Sequence, residues 1–183
     1  MADAEVRRAA RIATLIALPI AVIAGLIAFL ALRPGSDNAT PKASASAHAS
    51  ATTPVTMAAP SLSAADATVC RAFVAGLPDQ VRDLSQRQVT AGPEQNAAYG
   101  DPAITVACGV SKPQPQDQLY SMSGVCWWPV QLSDRSIWTT TDRTVPVQVV
   151  IPKQYDQPGQ WANEFSAAVV ASVPSLKNAT CGQ

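Results

Sequence analysis

Apolar positions fall into three regimes along the chain. Residues 12–32 form an uninterrupted apolar run of 21 residues without a charge. Residues 33–61 show no hydrophobic period at all, and from residue 62 onward short segments repeat with the spacing of helices and strands. As a helix the first run reaches roughly 31 Å, at about 1.5 Å per residue, which matches the hydrocarbon thickness of a bilayer. It predicts a single transmembrane helix, within which Pro19 and Gly25 are tolerated. Arg7, Arg8 and Arg11 precede it and only Arg33 follows closely, so the positive-inside rule places residues 1–11 in the cytoplasm and the rest outside. The run is longer than the apolar core of a cleaved signal peptide and lacks a small-x-small site before Arg33, which favours a signal-anchor.

In the third regime, Ser63 followed by Asp66 predicts a capped helix start. Ala67, Cys70, Phe73, Val74 and Leu77 then supply one apolar face, and Pro78 stops the helix. Val81 and Leu84 read as a further helical turn, residues 87–90 as a short edge strand, and residues 91–98 as loop. Tyr99-Gly100-Asp101-Pro102 predicts a turn before a strand over 103–110, on which Ile104, Val106 and Cys108 share a face. Pro113 and Pro115 mark residues 112–117 as a loop. Residues 119–122 and 125–132 predict a hairpin about Ser123-Gly124. Strands over 137–141 and 145–151 follow, the second with Val145, Val147, Val149 and Ile151 inward. Trp161, Phe165, Ala168, Val169 and Ser172 mark one amphipathic helix over 160–173.

Two helices flanking consecutive strands predict an α+β domain, with an antiparallel sheet of four to five strands packed against an N-terminal and a C-terminal helix. The expected organisation is a cytoplasmic tail (1–11), a transmembrane helix (12–32), a disordered Ala/Ser/Thr/Pro-rich linker (33–61) and an extracytoplasmic domain (62–183).

The cysteines, Cys70, Cys108, Cys126 and Cys181, all lie beyond the apolar run, and an even count in an exported domain reads as two disulfides. Their spacing lacks the close pairs of a zinc site. Four cysteines allow three connectivities. The inward-facing positions of Cys70 and Cys108 favour pairing these two, which leaves Cys126 with Cys181 in the tail.

Several segments carry a resemblance: Cys70 with Leu77-Pro78, Tyr99-Gly100-Asp101-Pro102-Ala103-Ile104, Cys108-Gly109-Val110 with Pro113, Gly124-Val125 with Trp127, and Arg143 leading to Val147-Gln148-Val149 and Pro152. Over residues 67–174 the chain resembles the actinobacterial envelope family known as domain of unknown function 3515. The resemblance implies a single-pass or secreted protein and a bond between the cysteines at 70 and 108. The chain departs from the family pattern with Tyr99 where Trp is favoured, and with Cys126 where an acidic residue is usual. Any role of that acidic residue therefore does not carry over, and the family supplies no activity.

Charge narrows the function classes. The chain carries 13 basic and 13 acidic residues, and no basic face is implied, which argues against nucleic acid as a partner. The one histidine, His48, lies in the linker, so the domain can build neither a His-activated nucleophile nor a His-ligated metal site. Phosphate-loop and nucleotide-binding glycine motifs are absent from the sequence, and no cofactor is expected. Glu94, Asp101, Asp117 and Asp142 are the acidic residues from which a carboxylate pair would be drawn, and all sit in predicted turns or loops.

Trp127 and Trp128 are adjacent on a strand and point to opposite faces. Trp127 shares the parity of Val125, leaving Trp128 as the expected surface residue. Trp128, Arg143 and Asp101 form the candidate interaction surface, Trp128 as an aromatic platform and Arg143 as a binder of carboxylate or phosphate. The expected function is a non-catalytic, membrane-anchored extracytoplasmic module that binds or supports another envelope component, protein before glycan. The alternative is an envelope hydrolase that uses paired carboxylates on cell-wall glycan.

Overall fold

A computed structural model describes residues 53–114, 118–177 and Cys181. The predicted transmembrane run, the tail before it and the linker up to residue 52 lie outside the described residues. Among the described residues no helix is long and apolar enough to cross a membrane.

Helix α1 (Ala64–Ala75) begins as its sequence predicts, with the Ser63 hydroxyl accepting from the Asp66 N–H at 3.1 Å. Its buried face carries Cys70 and Phe73. The chain then forms β1 (Gln80–Val81), β2 (Leu84–Arg87), β3 (Asn96–Tyr99) and β4 (Ile104–Cys108) as one antiparallel meander. The strands β5 (Tyr120–Met122), β6 (Val125–Gln131), β7 (Arg135–Thr140) and β8 (Val147–Pro152) form a second meander. Antiparallel pairing of β8 with β4 joins the two into a sheet of order β1-β2-β3-β4-β8-β7-β6-β5. Helices α2 (Pro158–Asn163) and α3 (Ser166–Ser172) close the chain.

The core lies between one face of this sheet and the helices. Ile104, Val106, Cys108, Val147, Val149 and Ile151 alternate inward as expected and meet Phe73, Phe165 and Val169 in one apolar cluster. Trp127 is fully buried there, and its Nε1–H donates to the Ser166 hydroxyl at 3.1 Å, tying β6 to α3. A disulfide joins Cys70 of α1 to Cys108 of β4, with Cα atoms 5.5 Å apart. A second joins Cys126 of β6 to Cys181 in the tail, with Cα atoms 5.2 Å apart. Gly109, just past β4, has φ +80°, and a Cβ there would run into Leu62.

The α+β class and the antiparallel sheet hold, but the sheet has eight strands in place of four to five. Val81 and Leu84, read as a helical turn, are instead the closing pair of a two-residue hairpin. A three-residue spacing fits either geometry, and both side chains are buried. Strand β3 occupies part of the predicted loop because all four of its residues are buried, so it shows no alternation of apolar and polar positions. The amide nitrogen of its polar member is satisfied from outside the sheet: Asn96 Nδ2 donates to the carbonyls of Ala58 and Ala91 at 2.9 and 3.0 Å. Residues 53–60, read as linker end, supply the Ala58 contact and others. Val55 bridges to Val89, and the Gln95 amide donates to the Pro60 carbonyl. The single C-terminal helix is two, broken at Glu164 and Phe165, where the N–H groups turn back to Trp161 and Ala162.

Two buried polar groups brace the fold. Arg143 is 5% exposed; it donates to the carbonyls of Gly124 and Val173 and to the Ser175 hydroxyl. Asp142 sits beside it, 3.4 Å away. Tyr99 is fully buried, and its hydroxyl donates to the Pro78 carbonyl at 2.8 Å. Burial, aided by the Asp79 carboxylate, pushes its phenol up to about 12.

Arg143→Ala strands two carbonyls and the Asp142 carboxylate, and should cost about 3 kcal/mol in urea unfolding of the full chain. Arg143→Lys should recover little of that, since an ammonium cannot span the fork. A loss under about 1 kcal/mol for Arg143→Ala would contradict the bracing role. The Tyr99 phenol titrates higher in the folded chain than in the unfolded one, near 10. Its contribution is therefore full below pH 10 and is lost as pH rises through about 12. Unfolding midpoints across this window should fall for the parent chain and fall distinctly less for Tyr99→Phe; parallel slopes would count against the assignment.

Candidate functional site

The three residues expected to form an interaction surface lie in separate places. Arg143 is buried in the contacts just described. Asp101 is exposed in the β3–β4 turn, 3.4 Å from the Arg87 guanidinium. That guanidinium also donates to the Gly100 and Thr53 carbonyls, clasping the entering chain. Trp128 lies on the sheet face opposite the helices and is half-buried, with an indole N–H that is buried and has no partner among the described residues. Beside it in register, Val130, Ile137 and Val150 continue an uncharged face.

A broad concavity lies elsewhere. A cleft of about 760 Å³ opens on the helix side of the sheet, where β5, β6 and β7 run past α2. Its floor is aromatic and apolar: Tyr120 and Met122 from β5, Pro129 from β6 and Trp138 from β7. The rings of Tyr120 and Trp138 meet at 5.7 Å between centroids, tilted by 60°. Helix α2 sits directly on the indole, since a Cβ at Gly159 would come 2.9 Å from Trp138 Cη2. Tyr120 is 43% exposed, so much of its surface remains open to a ligand.

The rim is polar and neutral. Gln131, Gln157, Gln160 and Asn163 contribute amide groups, and the Asn163 Oδ1 is buried with no partner among the described residues. The charged lining residues are Arg82 and Glu164, which neutralise each other at 2.7 Å. Arg82 also stacks over Trp161, 4.2 Å from the ring centroid. Glu164 is the one carboxylate lining the cleft among the described residues, while Asp101 pairs with Arg87 and Asp142 lies beside Arg143. Glu94 is exposed and does not line the cleft; Asp117 lies outside the described residues. Among the described residues no group of three or more His, Cys, Asp or Glu is placed to hold a metal ion.

Backbone geometry singles out the same cleft. The non-glycine residues with positive φ among the described residues are Arg82 (55°), Ser123 (46°) and Gln157 (54°), and all three line it. Each such conformation costs of order 1–3 kcal/mol and persists only where surrounding structure imposes it. Arg82 is the first loop residue of the β1–β2 hairpin. Ser123 and Gly124, at φ 46° and 77°, form the β5–β6 turn, whose two residues both need positive φ if the strands are to keep their twist. Gln157 immediately precedes Pro158, the first residue of α2, so the ring fixes where its side chain enters the rim.

None of the lining residues is a candidate in the sequence. The available signal was compositional: Gln157, Gln160 and Asn163 recur every three residues around Pro158-Gly159. Their partners Tyr120, Trp138 and Arg82 come from distant segments, and only the tertiary fold brings them together.

No curated protein and no solved structure matches the chain significantly. A family model described as "protein of unknown function (DUF3515)" matches residues 16–177, from within the apolar run almost to the end of the domain. The motif residues quoted above fall inside that match and are structural in this fold: Cys70 and Cys108 are bonded, Gly109 makes a close approach, and Arg143 is a buried brace. The chain is a member of the DUF3515 family.

Proposed function

We propose that this protein is a non-catalytic binding module of the cell envelope, anchored by residues 12–32 and presenting its domain outside, with the cleft beneath α2 as its binding site. The observation that carries this reading is the convergence of the three left-handed non-glycine residues on one amide-rimmed, aromatic-floored cleft. Arg82 and Ser123 take that conformation in hairpin turns, while Gln157 holds it on the rim itself, where such strain is a mark of function. An aromatic floor with a few placed polar groups is the ordinary make-up of a ligand pocket. The mutual pairing of Arg82 and Glu164 favours an uncharged ligand. Glu164 is the one carboxylate at the cleft among the described residues, where a two-carboxylate hydrolysis needs a pair, so the binding reading is preferred. The anchor reading draws on the uncharged run and its flanking arginines, and on disulfides suited to an oxidising compartment.

Two measurements test the proposal. A photocrosslinking residue at Gln160 of the anchored full chain, in cells, should give one recurrent adduct that the same residue at Arg71, on the exposed side of α1, does not give. Identical scattered adducts from both positions would remove the cleft as the site. A reporter enzyme active only outside the cytoplasm, fused after Gln183, should be active; an inactive but abundant fusion would reverse the topology.

A further inference from the structure

The cleft is bordered by an open strand, and this decides what class of ligand it takes. Strand β5 is the last in the sheet order, with no neighbour beyond it among the described residues. Its register pairs Met122 with Val125, Ser121 with Cys126 and Tyr120 with Trp127. The Cys126 carbonyl accepts from the Thr141 N–H at 2.9 Å, so the Cys126 backbone faces β7 and away from β5. Ser121 is therefore the non-bonded member of the ladder, and its N–H and C=O point outward from the sheet edge. No backbone partner satisfies either group among the described residues, and Ser121 is exposed. Alternation places Tyr120 and Met122 on the cleft face of the same strand.

We propose that the ligand is an extended peptide segment of a partner protein, which adds to the free edge of β5 as a further strand. This rests on the cleft being the binding site. The peptide residue opposite Ser121 exchanges two backbone hydrogen bonds with it, and its side chain points away from the cleft. The residues on either side, opposite Tyr120 and Met122, turn their side chains over the cleft between the aromatic floor and the Gln157 and Gln160 amides. Those two side chains are uncharged, because the cleft offers no unpaired charge to meet one. The short edge strand limits the pairing to one pair of bonds on this protein's side, so affinity depends on side chains filling the cleft. A glycan fits the aromatic and amide groups equally well, but its hydroxyls lack the fixed N–H and C=O spacing with which a strand meets the outward Ser121 pair.

The test uses the full-length chain in nanodiscs and a displayed library of random, end-capped heptapeptides. Selection should yield binders with uncharged residues at two positions separated by one. In the synthetic binder, N-methylation of the residue between those two should weaken binding roughly ten-fold, the loss of one hydrogen bond, while methylating the adjacent amides changes little. Ser121→Pro removes the outward N–H but no bond to β6, so it should weaken the same peptide by about as much without changing the melting temperature. A flat N-methyl scan, or unchanged affinity of Ser121→Pro, overturns strand addition while leaving the cleft as the site. Failure to select any peptide, with binding of an N-acetylglucosamine tetramer that Tyr120→Ala abolishes, overturns the peptide class in favour of glycan. Failure of both probes overturns the peptide proposal, and the crosslinking result at Gln160 then decides the cleft by itself.

Discussion

The fold depends on one buried cation. The Arg143 guanidinium reaches the Gly124 carbonyl at the tip of the β5–β6 hairpin, the Val173 carbonyl where α3 ends, and the Ser175 hydroxyl in the tail. Those groups belong to two segments far apart in sequence, the hairpin at residue 124 and the chain at 173–175, and Arg143 ties both to the loop that follows β7. A charge so thoroughly removed from water is tolerated because Nη1 and Nη2 both find acceptors and Nε, which makes no hydrogen bond, lies 3.4 Å from the Asp142 carboxylate. The hairpin it fixes carries Ser123, Met122 and Tyr120, so the same interaction that closes the C-terminal end also sets one wall of the cleft. The Cys126–Cys181 bond lies one residue beyond Val125 in that hairpin and holds the tail from the other side.

Rigidity and strain are thus distributed unevenly. The centre of the sheet, β4 and β8, packs conventionally: its inward Val and Ile side chains need no special backbone, and the Cys70–Cys108 bond ties α1 to it. The unusual backbone lies around the cleft, where Arg82, Ser123 and Gln157 are each held in a conformation that a glycine would take more easily. The neutral rim and the free β5 edge give that opening a consistent chemistry, suited to backbone groups and uncharged side chains.

Much of this fold is legible in the sequence wherever periodicity has one physical meaning. Ile104, Val106 and Cys108, then Val147, Val149 and Ile151, alternate because one sheet face is covered, and the structure buries each of them. Ser63 and Asp66 mark the start of α1 because a helix end needs a side-chain acceptor. The inward parities of Cys70 and Cys108 foretell their bond. Legibility ends where one pattern serves two geometries. Val81 and Leu84 suit a helix face or a tight hairpin, and Asn96-Ala97-Ala98-Tyr99 hides a strand because both of its sides are covered. Arg143 reads as a turn charge because nothing local reveals that three distant acceptors enclose it. The cleft is the least legible part. Its amides and aromatics are ordinary surface residues until β5, β7 and α2 are brought together.

Occupancy of that cleft in living cells is the central claim, and hydroxyl-radical footprinting of the full chain addresses it without knowledge of the ligand. Met122 and Tyr120 line the cleft, while Met57 lies on a different surface, by residues 95 and 96, and serves as the internal reference. Methionine converts readily to its sulfoxide when accessible. In intact cells Met122 and Tyr120 should oxidise several-fold more slowly, relative to Met57, than in the purified chain. Equal relative rates in cells and in isolation would show an empty cleft and contradict the account.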